Sequence, residues 1–228
     1  MQELIARALI AIHRLVLGHA RIHGKLVRLV NRSIGEKRVN TAIFELTNPA
    51  DVVWDVGANV GVYTRRFLER VGPTGHVVAV EPVPSNAAQL RALAPPEGLT
   101  VIDAALAGTD GQMPLVVSGE NGETSSIGDG PDALTVRVAR GDTLLDEGVP
   151  RPQIVKIDVE GFEGDVLDGM PDVLRGVRAV IVEIHFAALA RRGRPREPLR
   201  LLGLLSRQDF AVRWVDSSHL VATRRSAL

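Results

Sequence analysis

The stretch Val52-Val53-Trp54-Asp55-Val56-Gly57-Ala58-Asn59-Val60-Gly61 constrains this chain most, because it joins a buried strand to a glycine turn and a helix. Residues 51–56 read as a parallel-sheet strand, apolar on both faces. Gly57 and Gly61 lack side chains where the backbone must turn tightly and admit a ligand. From Val62 to Val71 the pattern becomes helical, so a ligand at the turn would meet the free N–H groups of a helix N-terminus. A second apolar strand, Val77-Val78-Ala79-Val80, runs into Glu81, an acid placed to accept hydrogen bonds from ribose hydroxyls. This is the pattern of an adenosine-cofactor site in an α/β fold.

Spacing narrows the cofactor. A dinucleotide fingerprint needs glycines at 57, 59 and 62, but Asn59 and Val62 hold the second and third places. A P-loop needs Gly-Lys-Ser/Thr after the turn, and Val62-Tyr63-Thr64 stands there instead. Asp55 would repel a pyrophosphate, yet it suits a cation such as the amino group of a methionine moiety.

The segments DVGANVGVYT, VVAVEPVPSNAAQL, VIDAALAG, VKIDVEGFEGDVLDGM and VIVEIH occur in this order. Together they resemble the FkbM family of S-adenosylmethionine-dependent methyltransferases, over about residues 50–186, and the IDVEG-x-E segment is the most specific part. The resemblance implies a Rossmann-like class I methyltransferase fold: a mostly parallel seven-stranded sheet with an antiparallel edge. It also implies S-adenosyl-L-methionine as cofactor and O-methylation of a hydroxyl on a sugar, polyketide or related metabolite. The cofactor set is then Asp55, Gly57, Asn59, Gly61, Glu81, Asp103 and Asp158. Asp103 is the candidate for the adenine and departs from the Asn of many relatives.

Strands are expected near 51–56, 76–81, 99–103, 153–158, 178–184, 210–215 and 219–224. Helices are expected near 60–71, 84–94, 141–146, 163–174 and 196–207. Between the third and fourth of these strands, Leu115-Val116-Val117 and residues 134–138 read as hairpin strands. They flank a Gly/Ser/Asp-rich loop, 118–131, in which Ser125 and Ser126 are candidate contacts.

The chemistry belongs at the carboxyl ends of the strands. Asp158 ends one strand, with Glu160 just beyond it and Glu163 in the first turn of a helix, where the dipole favours an acid. Glu183 and His185 end another and share a face by alternation. Lys156 shares a face with Asp158, as an ion pair within the sheet. An aliphatic hydroxyl must lose its proton during methyl transfer, so His185 or Asp158 is read as the base, with Glu160 and Glu183 orienting substrate hydroxyls. Oxygen-rich donors at Asp158, Glu160, Glu183 and His185 suit magnesium or manganese, but their spacing matches no metal signature and no metal is assigned.

The net charge of zero hides an asymmetry: residues 1–40 carry eight Lys/Arg against Glu3 and Glu36. Leu4, Ile5, Ala8, Leu9, Ile12, Leu15 and Val16 form an apolar stripe, and Arg7, Arg14, Arg21 and Arg28 recur every seven residues. Residues 1–35 are therefore read as basic amphipathic helices before a methyltransferase domain at 36–228. They are expected as a lid over the cofactor cleft, as a packing or homodimer element, or as a peripheral membrane contact. A small-molecule acceptor, glycosylated or carrier-linked, is the expected partner. Nucleic acid is not, because aromatic residues make up only 4% of the chain and the net charge is zero. The chain has no cysteine, so it has no disulfides and no thiolate metal sites. No apolar run spans a bilayer or forms a secretory signal, which points to a cytoplasmic enzyme. Two other readings stay open: an N- or carboxyl-methyltransferase on this fold, and a non-catalytic partner subunit that binds no cofactor.

Overall fold

The computed structural model describes residues 1–17, 39–93, 97–118, 124–127 and 133–225. Seven strands form one sheet: β1 (Val52–Val56), β2 (His76–Val80), β3 (Leu99–Ile102), β8 (Ile154–Ile157), β9 (Ala179–Glu183), β10 (Phe210–Trp214) and β11 (His219–Arg224). Their order is β10-β11-β9-β8-β1-β2-β3. Every pair from β9 to β3 is parallel, and β11 pairs antiparallel with both β9 and β10. This is the mostly parallel sheet with an antiparallel edge that the class I resemblance implied.

The central strands are apolar on both faces because helices cover both. Trp54, Val56, Val78, Val80, Val155 and Ile157 belong to one core, while Val53, Val77, Ala79 and Ile154 belong to the other. The second core is closed by α3 (Val62–Val71), through Phe67 and Val71, and by α2, whose described part covers 39–46. The first is closed by α5 (Gly141–Asp146), α6 (Glu163–Asp168), α7 (Pro171–Gly176), α8 (Phe186–Arg191) and α9 (Glu197–Arg207). Helix α4 (Pro84–Arg91) lies between β2 and β3 in the chain. Its Leu90 joins the second core.

Three expectations change. The helix read over 163–174 is two helices, since Pro171 cannot continue α6 and instead begins α7. A Cβ at Gly169, in the break, would collide with the carbonyl oxygen of Ala107. The stretch 118–131 is not only loop: β6 (Thr124–Ile127) pairs with β5 (Gly111–Ser118), and β4 (Ala105–Leu106) and β7 (Leu134–Ala139) complete a second sheet in the order β4-β7-β5-β6. The third concerns α1 (Gln2–Leu17), for which lid, packing element and membrane contact were all open: it packs on α8, α9 and β10. Ala6 and Ile10 enter the first core, and the Trp214 backbone N–H donates to Gln2 Oε1 at 3.2 Å. The buried face is not the stripe read from the sequence: Ala6 and Ile10 are buried, while Leu4 and Ile12 are exposed. Residues 18–35 of the expected basic segment, with Arg21 and Arg28, lie outside the described residues.

Candidate active site

Strand order reverses between β1 and β8, so the crevice of this sheet opens beyond their carboxyl ends. One cleft there is lined by Gly57, Asn59, Glu81, Ala104, Ala105, Leu106, Leu115, Asp158, Glu160 and Phe162, among others. A second shares Gly57, Asn59 and Asp158 and adds Tyr63 and Lys156. Asp158 therefore stands between the two.

The glycine turn is built by close approach within the protein. Gly57 has φ 75°, and a Cβ on it would collide with the carbonyl oxygen of Asp158, which follows β8. Only glycine satisfies both demands. Asn59 and Gly61 also take positive φ, 51° and 87°, and this curls the backbone so that the Asn59 N–H donates to Glu81 Oε2 at 2.9 Å. Glu81 Oε1 accepts from the Val83 N–H at 2.9 Å. Burial raises the Glu81 pKa, and these two backbone donors oppose the rise.

Asp55 has a different place from the one its sequence suggested. It is fully buried, on the sheet face opposite Trp54 and Val56. Its oxygens accept from Thr64 Oγ1 at 2.7 Å and from Lys156 Nζ at 3.1 Å. Asp55 and Lys156 are register partners in the β1–β8 ladder. With Thr64 and Lys156 on its oxygens, Asp55 is not among the residues that line either cleft. Lys156 also lies 3.5 Å from Asp158 Oδ2, the ion pair that alternation suggested, and 4.8 Å from the centre of the Tyr63 ring. Burial alone would lower the Lys156 pKa, but the Asp55 and Asp158 charges overcome it and the ammonium is held more firmly than usual.

Beyond Asp158 the ends of β8 and β9 make an acidic wall. Glu163 is fully buried. Its Oε1 accepts from the backbone N–H groups of Gly161 at 3.0 Å and His185 at 3.2 Å, and meets His185 Nδ1 at 2.7 Å. This pins the ring, with Nε2 lying 3.5 Å from Asp158 and 3.4 Å from Glu160. Burial alone would lower the His185 pKa, but the Glu163 hydrogen bond and the Asp158 and Glu160 charges raise it to about 10. This shift favours the imidazolium at neutral pH. Glu160 sits at φ 49°, a left-handed conformation uncommon outside glycine, which turns the chain at the strand end. Burial raises its pKa, against the opposing charge of His185.

A pH prediction follows from His185. Its folded pKa of about 10 lies above the ordinary value of about 6.5. The proton therefore stabilises the fold fully below about pH 6.5, and that contribution is lost as pH rises through about 10. The melting-temperature deficit of His185→Gln relative to wild type should be largest near the lower end of this window and shrink across it. A deficit independent of pH would place the proton elsewhere.

Comparison with known proteins defines the relationships of this chain. The model of the methyltransferase FkbM domain matches residues 55–212, more than half of the chain. The chain belongs to the FkbM methyltransferase family. Hexuronic acid methyltransferase AglP of Haloferax volcanii is 35% identical over 159 residues, covering 66% of this chain and 63% of that protein. The 2-O-methyltransferase NoeI of Sinorhizobium fredii is 27% identical over 160 residues, covering 60% of this chain and 65% of that protein. The FkbM-family chain thus matches somewhat less than two thirds of the length of these curated relatives. In fold it is similar to a putative rRNA-methylase from Clostridium thermocellum, with a TM-score of 0.51 at 13% identity over 83% of this chain and 93% of that one. Cofactor-bound Rv0187 from MTB has a TM-score of 0.52 at 15% identity, over 85% and 81% of the two chains.

Within this family member the other sequence candidates fall as follows. Asp103, the candidate for the adenine, is not among the residues that line the first cleft and pairs with Arg91 at 2.7 Å on the exposed surface. Its neighbours Ala104, Ala105 and Leu106 line the cleft instead. Ser125 and Ser126 fall on β6, but their side chains lie outside the described residues. Asp158, Glu183 and His185 gather one donor atom each within 4.8 Å. His185 Nδ1 is turned to Glu163, so it is Nε2 that faces this group. Thr64, Tyr63, Asp216 and His219 were not read from the sequence, and Glu163 was read only as a helix-end acid. The parity of Asp55 and Lys156 on facing strands was the one signal that could have revealed the buried pair. No helix among the described residues is long and apolar enough to cross a membrane.

Proposed function

We propose that this protein transfers the methyl group of S-adenosylmethionine to a hydroxyl of a neutral sugar or similar polyol. The reading rests on one placement: Asp158 lies between the cleft closed by Glu81 and the face that carries Tyr63 and Lys156. The residues present fit the cofactor. Glu81 would take the ribose hydroxyls, the apolar run 104–106 and Leu115 would flank the adenine, and the Gly57 turn would bring the amino-acid end beside Asp158. The sulfonium supplies an already activated methyl group, so this chain need only align the acceptor oxygen, exclude water and accept a proton.

Charge supports one residue as the proton acceptor. A base must start unprotonated, and the raised pKa of His185 favours its protonated form at neutral pH. That leaves Asp158 as the base, with the His185 imidazolium beside it and Glu160 and Glu183 orienting the acceptor. Among the described residues, the carboxyl groups of Asp55, Asp158, Glu160, Glu163, Glu183 and Asp216 outnumber the cationic groups they meet, Lys156, His185 and His219. This excess favours a cationic methyl donor and disfavours an anionic acceptor. AglP is named for a hexuronic acid; the acceptor wall here suits a neutral ring better.

The test is transfer of labelled methyl from S-adenosylmethionine to a panel of methyl glycosides. Base-stable label on neutral hexosides, with weaker labelling of hexuronides, is the expected result. Base-labile label would mark a carboxyl-methyltransferase, and label on aminoglycosides at nitrogen an N-methyltransferase. S-adenosylhomocysteine that fails to bind in calorimetry would leave the non-catalytic subunit.

A further inference from the structure

Residues Asp216 and His219 lie beyond the region matched by the family model, which ends at 212, yet they reach the acceptor wall. The turn between β10 and β11 carries them there. Asp216 Oδ1 accepts from the Ser218 N–H at 2.8 Å and the His219 N–H at 2.7 Å, which locks the carboxylate against the turn backbone. The His219 ring then spans two acids, with Nδ1 3.0 Å from Asp216 Oδ2 and Nε2 3.3 Å from Glu183 Oε2. His219 and Glu183 are also register partners in the β9–β11 ladder, so the sheet itself sets this contact. An imidazole facing a carboxylate at each nitrogen donates to both only when both nitrogens carry hydrogen. Glu183 is thereby held ionised by one oxygen. Its side chain remains one-third exposed, at 33%, and lies in the same group as Asp158 and His185. Burial raises the Glu183 pKa, but the His219 hydrogen bond and charge more than offset this and the pKa is lowered.

We infer that His219, clamped by Asp216, is a positioning residue that holds Glu183 as the ionised anchor for an acceptor hydroxyl. The inference rests on the methyl-transfer reading above and goes beyond it by giving the β10–β11 turn a part in acceptor choice. The groups that face His219 are Asp216 and Ser218 of the turn and Glu183 of β9, with His185 beyond Glu183. A carboxylate anchored at one oxygen keeps its other oxygen in a fixed direction, which a freely rotating glutamate does not.

The experiment has two arms on the full chain. In the first, imidazole nitrogen NMR follows His219 through a pH titration. Burial alone would lower its pKa, but the bonds to Asp216 and Glu183 raise it to about 9, so both nitrogens should be protonated at neutral pH. Asp216→Asn and Glu183→Gln should each lower the titration point. A neutral His219 at neutral pH overturns the inference. In the second arm, kinetics are measured with the best neutral methyl glycoside of the panel. His219→Ala should raise the acceptor KM about tenfold or more, the scale of a charge-assisted hydrogen bond, while S-adenosylhomocysteine affinity stays unchanged. His219→Gln, which keeps a donor near Glu183, should recover most of the loss. The wild-type KM should rise as pH passes about 9, where His219 releases its proton, and this limb should be missing in His219→Gln. An unchanged acceptor KM in His219→Ala overturns the inference while methyl transfer stands. A wild type that methylates no glycoside overturns the methyl-transfer reading, and with it the acceptor role, whatever the NMR titration shows.

Discussion

Lys156→Met should destabilise the protein by about 3–5 kcal/mol, the scale for breaking a buried ion pair from one side. Asp55 is fully buried and the Lys156 side chain is 6% exposed. Removal of the ammonium leaves the Asp55 carboxylate with only the Thr64 hydroxyl, inside a core that includes Val53, Phe67 and Ile154. An unpaired charge in that setting recruits a proton or opens the strand ends, and both weaken β1 against β8. The desolvation cost belongs to the charge and not to the shape, so Asp55→Asn combined with Lys156→Met should recover most of the loss. Urea unfolding of the two single variants and the double variant measures this. A Lys156→Met loss no larger than that of an ordinary surface substitution, about 0.5 kcal/mol, would show that the pair is not the support of the turn.

The second large effect concerns turnover. Asp158→Asn should lower kcat by about 10²–10⁴-fold, the range for loss of a general base, with S-adenosylhomocysteine affinity nearly intact. Glu81→Ala should do the reverse, weakening S-adenosylhomocysteine by about 1–3 kcal/mol through the polar groups it strands. Asp158 and Glu81 line one cleft, so this contrast separates chemistry from binding within a single site. Equal losses of affinity and rate in Asp158→Asn would make it a cofactor contact without a proton-transfer role. Full turnover in Asp158→Asn would return the base to His185 and require its proton to leave when the acceptor binds.

The elements that proved most legible are those whose signal is local. The run from Val52 to Gly61 encodes a strand, a turn and a helix start in consecutive residues, because a strand covered on both faces must be apolar on both. The same holds for the strands that end at Glu81, Asp158 and Glu183, and for the acids placed there, since in a doubly wound sheet the carboxyl ends converge on one crevice. The short helix α8 was not read, because Phe186–Arg191 spans under two turns and its Phe186, Ala188 and Leu189 are buried in a pattern too brief to show a period. The Pro171 break was misjudged because 163–174 keeps its apolar spacing across two helices.

What only the tertiary structure decided is which partners each strand-end acid meets. By sequence Asp55 and Asp158 are equivalent strand-end aspartates, and His185 is an ordinary imidazole near neutrality. Parallel pairing sets Lys156 opposite Asp55, and the two form an ion pair. Helix α6 turns the buried Glu163 onto His185, and this contact raises the ring's pKa. Antiparallel pairing sets His219 of β11 opposite Glu183 of β9. Charge state depends on burial and on neighbours within a few ångströms, and those neighbours are distant in sequence. The chain therefore declares its fold, its cleft and the residue types at the strand ends through local patterns. The pairing of those residues with one another arises from register and burial, which no local pattern contains.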